Sequence, residues 1–242
     1  MMPGARLGTG EVLMRQIASM TMLTLLSASG TALSVDPNDW AQLDRYRGAN
    51  AALAAPSAGE SRVVFMGDSI IEGWSSFDPA YFSDGTRLNR GVSGQTTSQM
   101  LVRFRADVIA LRPKVVVILA GTNDIAGNTG PITESEIVGN IASMAELART
   151  HGIRVVLVSA LPANRYYWNP AIKPAARIVE LNRLLAAYAK QHGHGWVDLH
   201  SLLADANLGL KRGFGEDGVH PNAAAYRVMR QPVDAAIAAA LE

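Results

Sequence analysis

The stretch Arg62-Val63-Val64-Phe65-Met66-Gly67-Asp68-Ser69 decides how the rest of the chain folds. Its apolar run over residues 62–66 is short and rich in β-branched side chains, which favours a strand buried on both faces. A glycine and two polar residues end the run. Ligands of parallel sheets bind just beyond the carboxyl ends of the strands, so this stretch predicts a buried strand and a functional edge.

Four further short apolar runs follow, and longer segments with helical periodicity separate them. Buried strands that alternate with helices indicate a parallel sheet covered on both faces and joined by right-handed crossovers. We therefore expect a three-layer α/β/α fold with about five parallel strands, spanning residues 35–242 as a single domain. The other predicted strands are 87–89, 115–119, 155–158 and 195–197. The predicted helices are 39–53, 97–111, 134–151, 175–192 and 223–241.

The amino-acid composition limits the kinds of molecule that the protein is expected to bind. Of 242 residues, 48% are hydrophobic, which is enough to bury a sizeable core. The net charge is +1 and there is no basic run, so we expect no nucleic-acid partner. The absence of cysteine excludes disulfides, zinc–thiolate sites and a cysteine nucleophile. A small neutral or weakly charged molecule is the expected partner.

Residues 1–34 have the pattern of a signal peptide. A basic start at Met14-Arg15-Gln16 precedes an apolar run over residues 17–28 and small residues up to Ser34. The apolar run is too short, and too rich in Ser and Thr, to predict stable membrane insertion. The pattern predicts a secreted or periplasmic protein whose mature chain begins near Val35. The alternative is an N-terminal tail on a cytoplasmic protein.

Four polar, glycine-bearing blocks lie at the ends of the predicted elements. They are residues 67–69, 91–97, 121–124 and 217–222. Acyl transfer requires a nucleophile, a base, a group that orients the base, and donors for the oxyanion. The four blocks contain residue types for each of these roles.

Each role has a candidate residue. Ser69, at the end of the first strand and in the first turn of a helix, is the candidate nucleophile, and His220 is the candidate base. Asp217 lies three residues before His220, so one tight turn can bring its carboxylate to the imidazole. The backbone N–H groups of Ser69 and Gly94 and the side chain of Asn123 are the candidate oxyanion donors.

The four blocks, in this order, resemble those of the SGNH (GDSL-type) hydrolase superfamily from about residue 61 to residue 230. The resemblance implies a flavodoxin-like α/β/α fold, hydrolysis of acyl esters, and no metal or other cofactor. The run Asn89-Arg90-Gly91-Val92-Ser93-Gly94 is most similar to platelet-activating-factor acetylhydrolase-like and lysophospholipase-like esterases. One departure is Ile71, where many relatives carry Thr.

These observations predict a serine carboxylic-ester hydrolase that works through an acyl-enzyme on a small-molecule ester. Because the sequence shows no long apolar lid, short-chain acyl (acetyl) esters of carbohydrates or small alcohols are the first expectation. The alternatives are a lysophospholipase or thioesterase, and a non-catalytic carbohydrate- or lipid-binding module on the same fold.

Several other residues and motifs are not among the first candidates for these catalytic roles. His200 is a rival base, but it lacks the three-residue spacing to an Asp and the following Pro. Ser93 is interpreted as a loop residue, and Asp68 and Asp124 as hydrogen-bonding anchors. The run 213–218 matches Gly-x-Gly-x-x-Gly without the strand context of a dinucleotide site, so we interpret it as a flexible loop. The aromatic run 166–168 follows the fourth strand and is expected to wall the acyl or alcohol pocket.

Overall fold

The computed structural model describes residues 38–242, which contain a five-stranded, all-parallel sheet. The predicted leader, residues 1–34, lies outside the described residues. The strand order is β2-β1-β3-β4-β5, the flavodoxin-like order, which confirms the predicted fold class. The strands are β1 (Val63–Gly67), β2 (Arg87–Gly91), β3 (Val115–Leu119), β4 (Arg154–Val158) and β5 (Gly195–Val197).

The helices agree with the sequence where the periodic segments are long. Within residues 38–242, no helix combines the length and apolar character needed to cross a bilayer. The longer helices are α2 (Ser69–Phe77), α3 (Thr97–Asp107), α5 (Glu134–Thr150), α6 (Ala175–His192) and α8 (Ala223–Leu241). The shorter ones are α1 (Arg47–Ala52), α4 (Thr122–Ile125) and α7 (Leu199–Leu203).

The predicted helix 39–53 is wrong in its first half, where the structure has turns. The Asp39 carboxylate accepts hydrogen bonds from the backbone N–H groups of Leu43 and Asp44, at 2.8 and 2.9 Å. Gln42 adopts a left-handed φ of 53°. A side chain that binds the backbone amides offers the chain an alternative to helical hydrogen bonding, and here the alternative prevails.

The sheet separates two buried cores. Successive side chains of a strand point to opposite faces, so Val64 and Met66 of β1 join the core beneath α3, α5 and α6. Val63 and Phe65 join the core beneath α2 and α8. Helices cover both faces of the sheet. Because the five strands are parallel, the polar residues that follow each strand lie together along the carboxyl edge of the sheet.

A buried cation lies beneath that edge. The side chain of Arg103 on α3 is fully buried and pairs with Asp107 at 2.9 Å. Its guanidinium also donates to the carbonyl of Gly67 at 3.1 Å and to the side-chain oxygen of Gln95. Asn50 donates to the other carboxylate oxygen of Asp107 at 2.6 Å. Arg103 therefore joins the end of β1 to the loop that follows β2.

We predict that Arg103→Met lowers the free energy of unfolding by about 3–5 kcal/mol, because it leaves the buried Asp107 without its cation. Urea unfolding followed by circular dichroism measures the change. The double variant Arg103→Met/Asp107→Leu removes both charges and should be more stable than the single variant. Equal stability of the single and double variants would contradict this account.

Candidate active site

Ser69 lies at the junction between β1 and α2. The strand ends at Gly67, and Asp68 caps the helix by accepting the Ile70 backbone N–H at 2.9 Å. Ser69 is then the first helical residue and is half-buried, at the carboxyl edge of the sheet. The strand-to-helix turn therefore presents the Ser69 hydroxyl at the edge where the sequence predicts chemistry.

The structure brings three of the predicted site residues into one hydrogen-bond chain. Ser69 Oγ lies 2.9 Å from His220 Nε2, although the two residues are 151 positions apart. His220 Nδ1 lies 2.7 Å from Asp217 Oδ2. A hydroxyl, an imidazole and a carboxylate in this order form the constellation of a serine hydrolase.

A local turn holds Asp217 in place. Its second oxygen, Oδ1, accepts the backbone N–H groups of Val219 and His220 at 2.9 and 2.8 Å. Partial burial acts to raise the pKa of Asp217, but hydrogen bonds from the backbone and ring of His220 and from Val219 outweigh it and lower the pKa. The carboxylate therefore stays ionised and can fix the imidazole tautomer.

The glycines of the run 213–218 allow backbone conformations and a close packing contact that other residues would prevent. Gly213 and Gly218 have φ values of +90° and +81°, which disfavour other residues. A Cβ atom on Gly215 would lie 2.3 Å from the carbonyl oxygen of His220. Gly215 therefore lets the loop pack directly against His220, and the flexibility predicted for this run stays a prediction.

Gly94 follows β2 and Asn123 follows β3, at the same carboxyl edge of the sheet as Ser69. Gly94 is exposed and has a φ of +77°. Asn123 is buried, and its amide donates to the Gln95 carbonyl at 3.1 Å. Asn128, which the sequence analysis missed, donates to the Asn123 Oδ1 atom at 3.1 Å and to the Gly94 carbonyl at 3.0 Å. Because Asn128 occupies the Asn123 oxygen, it fixes which way that amide faces.

Glu72 holds the same loop from the other side. Its Oε2 atom accepts the Ser93 backbone N–H at 2.9 Å and also the Ser93 hydroxyl. Its Oε1 atom pairs with Arg45 at 2.7 Å. Ser93 is thus a loop residue, as the sequence indicates. Glu72 was also missed. Its position three residues after Ser69, on the same helix face, was the available signal.

The rival base, His200, lies away from Ser69. It is buried, and its Nε2 atom has no hydrogen-bond partner among the described residues. Its ring lines a separate cavity with Asp198 and Trp196.

Asp124 accepts both the backbone N–H and the hydroxyl of Thr97, so it anchors the start of α3.

An open groove of about 740 Å³ reaches Ser69 and His220. It lies over the ends of β1 and β2. Its walls include the Arg45–Glu72 ion pair and the aromatic ring of Phe77. The groove gives a small molecule access to the serine hydroxyl. Its other lining residues include Tyr46, Gly73, Ser75, Ser76, Asn89, Ser93, Pro221 and Tyr226.

The sequence profile of the GDSL-like lipase/acylhydrolase family matches residues 65–228, which is more than half of the chain. The chain belongs to this family. The match confirms the resemblance seen in the four sequence blocks and makes the protein a relative of ester hydrolases.

Three relatives illustrate the range of this family. The crystal structure of a GDSL-like lipase from Bacteroides thetaiotaomicron is 46% identical, with a TM-score of 0.81, over 83% of this chain and 98% of that one. Platelet-activating factor acetylhydrolase IB subunit alpha1 from Bos taurus is 33% identical over 55% of this chain and 57% of that one. An acetylxylan esterase from Xylanibacter ruminicola is 27% identical over 77% of this chain and 45% of that one. The chain spans less than two thirds of the length of these two curated relatives.

Asp68, the residue before Ser69, is a second carboxyl group next to the candidate nucleophile in the sequence. It is fully buried, and its Oδ2 atom has no hydrogen-bond partner among the described residues. Burial raises the pKa of Asp68 to about 7, and the charge of Asp124 adds to this rise. The hydrogen bond from Ile70 and the charge of His220 act in the opposite direction without cancelling it.

This raised pKa predicts a specific dependence of stability on pH. Between about pH 4 and pH 7 the folded state holds a proton on Asp68 that the unfolded state has released, so Asp68 destabilises the fold as pH rises. The Asp68→Asn variant cannot ionise there. Relative to the wild type, we expect it to gain more than about 1.4 kcal/mol of stability between pH 5 and pH 8.

Urea unfolding of both proteins at the two pH values measures this gain, and other titrating groups cancel in the comparison. The control is Glu216→Gln, which neutralises an exposed carboxylate and should show no such gain. A pH-independent difference between Asp68→Asn and the wild type would show that the buried carboxyl does not titrate in this window.

Proposed function

We propose that the protein is a serine carboxylic-ester hydrolase that works through an acyl-enzyme, with Ser69 as its nucleophile. The observation that carries the proposal is the unbroken hydrogen-bond chain from Ser69 through His220 to Asp217. His220 accepts the hydroxyl proton as Oγ attacks the ester carbonyl carbon, and it passes that proton to the departing alcohol. Water, activated by the same imidazole, then attacks the acyl-enzyme, releases the acid and restores Ser69.

Three donors are proposed to stabilise the oxyanion: the backbone N–H groups of Ser69 and Gly94, and the Asn123 side chain. The bond to the Gln95 carbonyl uses one of the two N–H groups of the Asn123 amide, which leaves the other for the oxyanion. Asn128 supports this role, because its side chain holds both the Asn123 amide and the Gly94 peptide. Donors fixed before the reaction stabilise developing charge without reorganising.

The proposed substrate class is short-chain, acetyl-type esters of carbohydrates or small alcohols. A long acyl chain in the open groove would cover the Arg45–Glu72 ion pair and the hydroxyls of Ser75 and Ser76, and desolvating such groups is costly. Two relatives carry names that specify an acetyl group, the acetylhydrolase subunit and the acetylxylan esterase. The signal-like segment 1–34 supports a secreted or periplasmic location for this reaction.

We predict that a fluorophosphonate labels Ser69 alone and abolishes hydrolysis of p-nitrophenyl acetate. The reason is that, among the hydroxyls of residues 38–242, the one of Ser69 has an imidazole nitrogen within hydrogen-bond distance. Mass spectrometry of the digested protein locates the adduct, and Ser69→Ala is the matched variant without the nucleophile. Across a series of p-nitrophenyl esters, acetate should be hydrolysed faster than octanoate. Labelling elsewhere, or turnover by folded Ser69→Ala, would refute the proposed mechanism.

The oxyanion donors give a second prediction. Asn123→Ala should lower kcat by about 10²–10³ through the loss of one donor. Asn128→Ala should lower kcat by about tenfold to a hundredfold at similar KM, because the Asn123 amide loses its fixed orientation. Steady-state kinetics with p-nitrophenyl acetate measures both effects.

Two further variants test the positioning role of Asn128. Asn128→Asp keeps the side-chain shape but cannot donate N–H groups, so it should be as slow as Asn128→Ala. Asn207→Ala removes an exposed asparagine side chain that does not line the groove; it is the control and should stay near the wild-type rate. Full activity of Asn128→Asp would show that its N–H groups do not position the oxyanion donors.

A further inference from the structure

A second group of side chains lies beside His220 and does not line the groove. It consists of the exposed rings of Tyr167 and Trp168 in the loop after β4, with the buried Tyr166 beneath them, and we call these three residues the aromatic wall. Tyr167 and Trp168 are 58% and 37% exposed, so both rings are accessible to a ligand. Neither lines the groove over β1 and β2. The wall is therefore a separate surface that the proposed chemistry leaves unused.

The wall rests on a fixed base. Tyr166 is fully buried, and its hydroxyl lies 2.9 Å from the Thr122 hydroxyl. Trp168 stacks on Tyr166 with ring centroids 4.8 Å apart and an interplanar angle of 22°. Tyr167 packs edge-on against Trp168, also at 4.8 Å. Asn169 ties the loop to the Ala126 carbonyl at 3.1 Å. Exposed rings held in this way form a preorganised binding surface.

The wall lies beside His220. The ring centroids of Tyr167 and Trp168 are 6.4 and 6.3 Å from the centroid of the imidazole. In the proposed mechanism the imidazole must reach the alcohol oxygen to protonate it, so the departing alcohol has to lie next to His220. The part of the substrate that meets the wall is therefore the alcohol, and the acyl group stays on Ser69.

We propose that Tyr167 and Trp168 form the subsite for the alcohol part of the ester, and that this alcohol is a pyranose sugar. The inference rests on the proposed esterase function and names the substrate class of that same site. A pyranose has an apolar C–H face that covers an aromatic ring and hydroxyls that stay in water. An open, half-exposed wall suits such a molecule better than a purely apolar alcohol, which would require enclosure.

The test separates the alcohol side from the acyl side. The two substrates are an acetylated methyl glucopyranoside and ethyl acetate, which share the acetyl group and differ only in the alcohol. For Trp168→Leu, the ratio of kcat/KM for the sugar ester to kcat/KM for ethyl acetate should fall about tenfold, which is the scale of one lost aromatic contact. Tyr167→Ala, at the more exposed position, should lower the same ratio without disturbing Tyr166.

The step affected provides a second measurement. The alcohol has already left when the acetyl-enzyme forms, so the wall variants should lower the rate of acylation and not that of deacylation. Burst kinetics with p-nitrophenyl acetate measures the deacylation rate. Trp40→Leu makes the same change at another exposed tryptophan outside the wall and should keep the wild-type ratio. Circular dichroism confirms that each variant is folded.

Three results would overturn the subsite. They are an unchanged ratio in both wall variants, a fall in deacylation that matches the fall in acylation, and a selective loss of acetylcholine rather than sugar-ester hydrolysis. The last result would assign the wall to a cationic alcohol. Failure of the esterase proposal looks different, because the wild type would then hydrolyse none of these esters in a Ser69-dependent manner.

Discussion

The geometry of the candidate site depends on the buried guanidinium of Arg103. It binds the Gly67 carbonyl at the end of β1, the Gln95 side chain in the loop after β2, and the carboxylate of Asp107. A buried cation must keep all of its partners, because an unpaired charge in the core is far more costly than a lost surface contact. The strand that leads to the serine and the loop that carries Gly94 are therefore held at a fixed separation.

Above this cation, the polar groups of the site hold one another in place before any substrate arrives. The side-chain amide of Asn128 donates hydrogen bonds to both Asn123 and Gly94. The Glu72 carboxylate accepts hydrogen bonds from the backbone N–H and the hydroxyl of Ser93. Such preorganisation is what makes electrostatic stabilisation of a transition state effective. The open groove and the aromatic wall border this centre, and in the function proposed above they contact the substrate while the fixed polar groups carry out the chemistry.

The sequence was sufficient for the sheet and for the long helices, because these elements carry strong periodic and capping signals. The run predicted as strand 62–66 is strand Val63–Gly67, and the segment predicted as helix 175–192 is helix Ala175–His192. The helix predicted over 39–53 is wrong only in its first half, where the Asp39 side chain accepts hydrogen bonds from backbone N–H groups, an interaction that periodicity does not show. Helices α4 and α7 were missed because four or five residues are too few to reveal a period.

The sequence by itself determined the family, the strand ends and the local pair of Asp217 and His220, because a three-residue turn is sufficient to join a carboxylate to an imidazole. Tertiary structure decided the rest. The approach of His220 to Ser69 across 151 positions depends on parallel strands that end at one edge of the sheet. The roles proposed for Asn128 and for the aromatic wall depend on side-chain directions that no local pattern encodes, since packing between distant elements sets them.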